Sequence, residues 1–216
     1  MISTPPPVAG GQPRRRRQDG ENSRAAILSE ATRLATVEGI GGLSIARLAQ
    51  AVGMSKSGLF AHFGSKEELQ LATVATAEAV FDEQVIRPVP GTAPGRARLE
   101  SLVDGYLAYV ESDTFPGGCF FASVLTEVAM QPGPVRDRLV AFLTDWLERL
   151  EAAVRDAQAE GTIDASEDPA QLAFEIEAAL FLANTQYVVA RTGTPIEHAR
   201  RAIGRRLGPA EHRPAS

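Results

Sequence analysis

The chain has 216 residues, of which 44 % are hydrophobic and 6 % aromatic, and it contains a single cysteine. That length holds one large domain or two small ones, and one cysteine excludes an internal disulfide framework and suits a reducing cytoplasm. Net charge is −5, but it is unevenly spread: residues 1–66 hold nine Lys/Arg against four Asp/Glu, and the remainder holds 13 against 23. A basic head on an acidic body is the asymmetry expected when only one end of a protein meets phosphate.

Residues 1–22 are rich in Pro, Gly and Arg and read as a disordered arm. Its Arg14, Arg15, Arg16 and Arg17 either reach a DNA groove or only keep the chain soluble. No apolar stretch near the start reads as a signal peptide. Residues 23–38 form a helix with Ile27, Leu28, Ala31, Leu34 and Ala35 on one face, ended by Gly39. Residues 44–63 then read as two short helices around a tight turn. Ser44 caps the first, which buries Ile45, Leu48, Ala49 and Val52. Gly53 supplies the turn, and Ser55 caps the second helix. The order small residue (Ala49), glycine (Gly53), large apolar residue (Leu59) is what a helix-turn-helix requires, because its helices cross steeply over a small contact.

Ser65 and Glu68 make a capping box for a helix running to about residue 85. Pro/Gly-rich breaks at 87–96, 116–118 and 131–134 separate further amphipathic helices. One carries Leu99, Leu102, Val103, Tyr106, Leu107 and Val110; a long one runs from Val135 to about Glu160. Asp168 with Pro169, and Thr194 with Pro195 and Glu197, read as N-caps followed by first-turn prolines. The stretch 172–190 is the most apolar, but Glu175, Glu177, Asn184 and Gln186 interrupt it, so it reads as a buried helix and not a membrane span. The fold class is all-α, with about nine helices. The expected divisions are a disordered arm at 1–22, a three-helix DNA-binding unit at 23–66, a helical regulatory and dimerisation unit at 67–208, and a disordered tail at 209–216.

Residues 24–71 closely resemble the TetR family of one-component transcriptional regulators. The resemblance rests on A-x-x-x-G, S-K-x-x-L-[YF]-x-H-F and S-K-E-x-L, met here by Ala49, Gly53, Ser55, Lys56, Leu59, Phe60, His62, Phe63, Ser65, Lys66, Glu67 and Leu69. Phe60 stands where the family more often has Tyr, so it cannot donate to a phosphate. The family's ligand domains diverge, and the rest of the chain resembles it mainly in architecture. The segments GGCFFASVLTE and PGPVRDRL look like one subgroup of those domains.

From position in the helix-turn-helix, the residues expected to meet DNA are Ser44, Arg47, Ser55, Lys56, Ser57, Gly58, Phe60, His62 and Lys66. Packing against the next helix is an equal reading of His62. The body offers an apolar set for a small-molecule cavity: Phe81, Leu102, Tyr106, Cys119, Phe120, Val124, Phe142, Trp146, Phe174, Phe181 and Asn184. Any one of them reads more readily as plain core than as a ligand contact. Glu127, Glu175, Asn184 and Gln186 stand polar within apolar helices, to orient a ligand or to face solvent or a second subunit. Cys119, with no basic neighbour, reads as an inert packed thiol. The helix from Pro169 is apolar on two sides, and Leu172, Ile176, Ala179, Ala183 and Tyr187, with Ile196, Ala199 and Ile203 of the last helix, are expected to form a homodimer interface. The resemblance implies the same.

The function expected is a DNA-binding transcriptional regulator in the cytoplasm, a repressor released from a palindromic double-stranded operator by a small apolar or amphipathic effector. A regulator controlled by a protein partner, or by nothing, is the alternative. An enzyme with an accessory DNA-binding head is a further one, but the sequence has no nucleophile elbow, phosphate-binding loop or dinucleotide fingerprint, and its three His are spread at 62, 198 and 212. No cofactor, metal or membrane is implied.

Overall fold

A computed structural model describes residues 12–89 and 95–208, with side chains from residue 20 onward. Among the described residues there are nine α-helices and no strand: α1 (Gln12–Glu38), α2 (Ile45–Ala51), α3 (Lys56–Phe63), α4 (Lys66–Phe81), α5 (Gly95–Glu111), α6 (Phe120–Val128), α7 (Pro134–Ala159), α8 (Pro169–Ala190) and α9 (Thr194–Leu207). A π-helical turn, Asp82–Ile86, continues α4.

The helix starts follow from their caps. The Ser44 hydroxyl accepts the Arg47 N–H at 3.4 Å, Ser55 the Gly58 N–H at 3.0 Å, Ser65 the Glu68 N–H at 3.1 Å, and the Asp168 carboxylate the Ala170 N–H at 3.0 Å. Each satisfies one of the backbone donors that a helix start leaves unpaired. Two boundaries differ from expectation. The backbone of 12–22 is helical, so α1 begins at Gln12 and not at 23. Arg and Gln are good helix formers, and Pro13 suits a first turn, so the charge that suggested an arm does not oppose the helix. The expected disorder at 1–11 and 209–216, and the fate of the Arg14 to Arg17 side chains, lie outside the described residues. At the other end, α9 starts at Thr194 itself, and its cap position is Gly193, with no side-chain hydrogen bond.

α1, α2 and α3 form a small head whose core is Ile27, Ala31, Ala35, Leu48, Leu59 and Phe63, all buried. α4 leaves the head and packs on α1 at one side and α7 at the other. In the body, α5, α7 and α8 pack on one another, α9 covers α8, and α6 lies against α1, α7 and α8. The expected interface residues are used here. Leu172, Ile176 and Ala183 of α8 and Ile196, Ala199 and Ile203 of α9 are buried within one subunit, and Ala179 and Tyr187 pack half-buried on the same core. α8 is apolar on both sides, and helical spacing does not say which side its own subunit takes.

Arg96 fixes the start of α5 to the end of α9. It is buried, and its guanidinium donates to the carbonyls of Leu207 at 2.9 Å and Gly208 at 2.9 Å. Its Nε donates to Glu100 at 2.6 Å. The carbonyls at a helix C-terminus carry partial negative charge, so a guanidinium there is well placed. Replacing Arg96 with Met keeps much of the stem but strands those carbonyls. Urea unfolding of Arg96→Met should show a loss of about 2–4 kcal/mol. A change below about 0.5 kcal/mol, the range of ordinary surface substitutions, would rule out this tie.

Candidate DNA-binding surface and ligand cavity

The turn between α2 and α3 closes as a Schellman motif. Gly53 takes φ +67°, its N–H bonds the Gln50 carbonyl at 3.2 Å, and the Met54 N–H bonds Ala49 at 2.8 Å. This sets Lys56 and Ser57 at the exposed start of α3, with the Ser57 hydroxyl 3.2 Å from that of Ser55. Ser44, Arg47, Ser55, Lys56, Ser57, Phe60 and Lys66 are exposed, and Gly58 and His62 are half-buried. Several are already engaged. Ser44 and Ser55 cap their helices, Arg47 pairs with Glu38 at 2.6 Å, and Lys66 donates to the Gly41 carbonyl at 2.6 Å. The His62 ring lies 6.2 Å from that of Phe63. Arg24, not singled out from the sequence, places its guanidinium 5.0 Å from the centre of the Phe63 ring, a cation–π contact between α1 and the recognition helix.

The head is joined to the body at both ends of α6. At its C-terminal end, the Glu127 carboxylate accepts the backbone N–H groups of Ile40 at 2.8 Å and Gly41 at 2.9 Å. The loop between α1 and α2 is shaped for this. A Cβ at Gly39 (φ +79°) or at Gly41 would overlap the carboxylate. The same loop is held from α4, where Gln70 donates to the Ile40 carbonyl at 2.8 Å. Before the N-terminal end of α6, the Gly117 N–H donates to the Thr36 hydroxyl of α1 at 3.2 Å, and the Cys119 N–H donates to Asn184 of α8 at 2.7 Å. Asn184 and Glu127 therefore serve as structural ties. Glu175 pairs with Arg206 of α9, and Gln186 is exposed.

A solvent-open cavity of about 360 Å³ lies between α4 with its π-helical turn and α7. Phe81, Ile86, Ala141, Phe142 and Trp146 form its apolar wall, and Glu78, Asp82, Arg138, Asp145 and Arg149 its polar lining. A smaller space of about 40 Å³ shares Phe81, Phe142 and Trp146 and is completed by Tyr106, Cys119, Phe121, Ala122, Leu125, Leu139, Leu143, Glu177 and Phe181. Phe81 stands edge-on to Tyr106, Tyr109, Phe121, Phe142 and Trp146, at centroid distances of 5.1 to 6.3 Å. Burial dominates the titration of this region. It pushes the Tyr106 hydroxyl upward and the Cys119 thiol up to about 11. It also pushes Glu177 up to about 7, against the opposing hydrogen bond from Trp146 Nε1, which is 2.7 Å from Oε2. Cys119 is thus neutral at physiological pH and buried, the opposite of a reactive thiolate.

Six of the eleven expected cavity residues line these spaces: Phe81, Tyr106, Cys119, Phe142, Trp146 and Phe181. Leu102, Phe120 and Val124 are plain core. Phe174 points away, 65 % exposed on the outer face of α8. That face carries Phe174, Ala178, Phe181, Leu182, Thr185 and Val189 in one helical stripe, with Leu182 at 55 % and Val189 at 82 % exposure. Sequence reasoning missed the charged mouth and Glu177. The mouth residues sit on amphipathic helices where charge ordinarily means solvent. Glu177 had a signal, a carboxylate in the most apolar helix.

Comparison with known proteins agrees with this architecture. Residues 27–73 match the family described as bacterial regulatory proteins, tetR family, and residues 95–203 match the tetracyclin repressor-like C-terminal domain. The transcriptional regulator AcuR of Cereibacter sphaeroides is 24 % identical over 178 residues, covering 80 % of this chain and 81 % of that protein. A TetR transcriptional regulator from Chloroflexus aurantiacus superimposes with a TM-score of 0.79 at 27 % identity, over 86 % of this chain and 94 % of that one. AibR, solved in complex with isovaleryl coenzyme A and operator DNA, superimposes with a TM-score of 0.64 at 26 % identity, over 80 % of this chain and 97 % of that one. With the helix-turn-helix and the helical body both matched, the chain belongs to the TetR family of DNA-binding transcriptional regulators.

Proposed function

We propose that this regulator is a cytoplasmic homodimeric repressor, released from a palindromic operator by a small ligand with an apolar or amphipathic body. One observation carries the reading. Phe81, on the cavity wall, and Ser65, which follows the recognition helix, bound a single 16-residue helix about 24 Å long. A ligand that displaces Phe81 swings α4, and the recognition helix moves with it. Two heads moved apart no longer match half-sites one helical turn apart. α6 supplies a second route: Phe121, Ala122 and Leu125 line the inner space, and Glu127 two residues on holds the α1–α2 loop. The ligand acts only through its difference in affinity for the two arrangements. The ligand in the AibR complex is an acyl coenzyme A. The mouth of the present cavity has three carboxylates against two guanidiniums, which does not favour a polyphosphate.

The outward stripe of α8 supports the dimer. An apolar stripe of this length, exposed in one subunit, calls for a cover, and a second copy is the cover that operator symmetry requires. The interface residues are then Phe174, Ala178, Leu182 and Val189, in place of the side of α8 that is buried in its own core.

Three outcomes test the reading. In binding to selected oligonucleotides, Lys56→Ala should weaken the complex and lower the salt slope by roughly one counterion, and Arg47→Ala should do the same, since the parent guanidinium exchanges Glu38 for phosphate; unchanged affinity across the salt range would remove both from the interface. Sedimentation velocity at micromolar concentration should give a dimer, and Phe174→Asp with Leu182→Asp a folded monomer that binds operator poorly; a parent monomer contradicts the proposal. Glu127→Ala should destabilise the protein by about 1–3 kcal/mol through two orphaned donors and raise amide exchange at Ile40 and Gly41. Unchanged protection there would show that the carboxylate does not hold the loop.

A further inference from the structure

Resting on the ligand-responsive reading, we propose that the effector is an organic cation: a protonated amine whose apolar body fills the α4–α7 cavity and whose head sits against Glu177 among the rings of Phe81, Tyr106 and Trp146.

The argument begins with the placement of one carboxylate. Glu177 borders the inner space among Tyr106, Cys119, Phe121, Phe142, Trp146 and Phe181. Its Oε2 takes the Trp146 indole N–H, and its Oε1 accepts no hydrogen bond among the described residues. Glu177 is half-buried, so its second oxygen keeps contact with water, and a cation that displaces that water would complete the carboxylate. The inner space, about 40 Å³, has room for one small polar group and not for an acyl chain. Aromatic faces attract cations, and three of the rings that border this space also border the larger cavity or stack on it, with Trp146 and Tyr106 6.2 Å apart and near parallel.

The remaining charges point the same way. Among the described residues, no Lys, Arg or His borders the inner space. The titratable groups that face Glu177 there are Tyr106 of α5 and Cys119 ahead of α6, both held neutral by burial. The basic residues of the larger cavity, Arg138 and Arg149, lie at its charged mouth, and Arg138 is already held by both oxygens of Glu78 at 2.9 and 2.6 Å. A carboxylate ligand entering the inner space would therefore meet Glu177 with no counter-charge. An ammonium group would give Oε1 a charged donor in place of water and set positive charge over the rings. The larger cavity, about 360 Å³, then takes a body of phenylalkyl size against Phe142, Ile86 and Ala141.

The chain has one tryptophan, Trp146, so its fluorescence reports on this site alone. Full-length protein is titrated with three probes of one skeleton: 4-phenylbutylamine, 4-phenylbutyrate and 4-phenylbutan-1-ol. The amine should bind saturably and at least tenfold more tightly than either other probe. Glu177→Gln, with folding checked by thermal melting, should lose about tenfold or more of the amine affinity, as for a charge-assisted hydrogen bond, and little for the alcohol. A pH series on the parent needs no variant. Amine affinity should rise about tenfold from pH 6 to pH 8 as Glu177 loses its proton, because the amine stays charged throughout. Equal or tighter binding of the butyrate or the alcohol, a Glu177→Gln variant with parental amine affinity, a flat or falling pH series, or no response to any probe would each overturn the proposal. A parallel operator-release assay separates the two readings. Release by the butyrate keeps the ligand-responsive regulator and discards the cation. Failure to select any operator discards the repressor reading, while Trp146 still reports whether the amine binds.

Discussion

The bond between Glu127 and the α1–α2 loop is the constraint on which the rest of the structure depends. A head of three helices buries too little surface to hold its own geometry firmly. Here the loop that sets α2 against α1 is gripped by a carboxylate from the body, by Gln70 of α4 and by Lys66 at the start of α4. Bonds from backbone donors to a charged carboxylate are stronger than neutral ones, so the grip is strong for its size. The DNA-reading surface therefore takes its orientation from α4 and α6, two helices that also border the inner space.

The same economy explains the aromatic cluster. Phe81 is the last residue of α4 and the hub of five edge-on ring contacts. Edge-to-face pairs have a preferred geometry, so a ring pushed from one position does not drift but finds another packed arrangement. The π-helical turn at Asp82–Ile86 lies directly beyond, where the helical ladder is already widened. Phe81 thus has regular helix on the DNA side and a π-helical turn on the other.

How much of this was legible in the sequence depended on how local the cause was. Ser44, Ser55, Ser65 and Asp168 announced their helices because a cap is decided within three residues. The helix-turn-helix was legible for the same reason, since Ala49, Gly53 and Leu59 set its geometry over a short span. The candidate site was half legible. Phe81, Phe142 and Trp146 look like core and are core on one side, with the cavity on the other. Which side of α8 its own subunit buries was not legible, because Leu172 and Ile176 are no more apolar than Phe174 and Leu182, and only the packing of α5, α7 and α9 decides. Glu127 was beyond local reasoning: its partners lie more than eighty residues earlier, and its meaning depends on glycines at 39 and 41 whose missing Cβ atoms make room for it.

The magnitudes connect these parts. An effector can move a regulator only by the free energy with which it prefers one arrangement, and couplings between sites are commonly about 1–3 kcal/mol. A single hydrogen bond to a charged group contributes about 1.5–3 kcal/mol, and the two bonds of Glu127 are the main polar link from α6 to the head. A head held by nothing would never be in register for DNA. The two units share one continuous apolar core, and the Glu127 bonds add a directional polar tie across it, on a loop that glycines keep open.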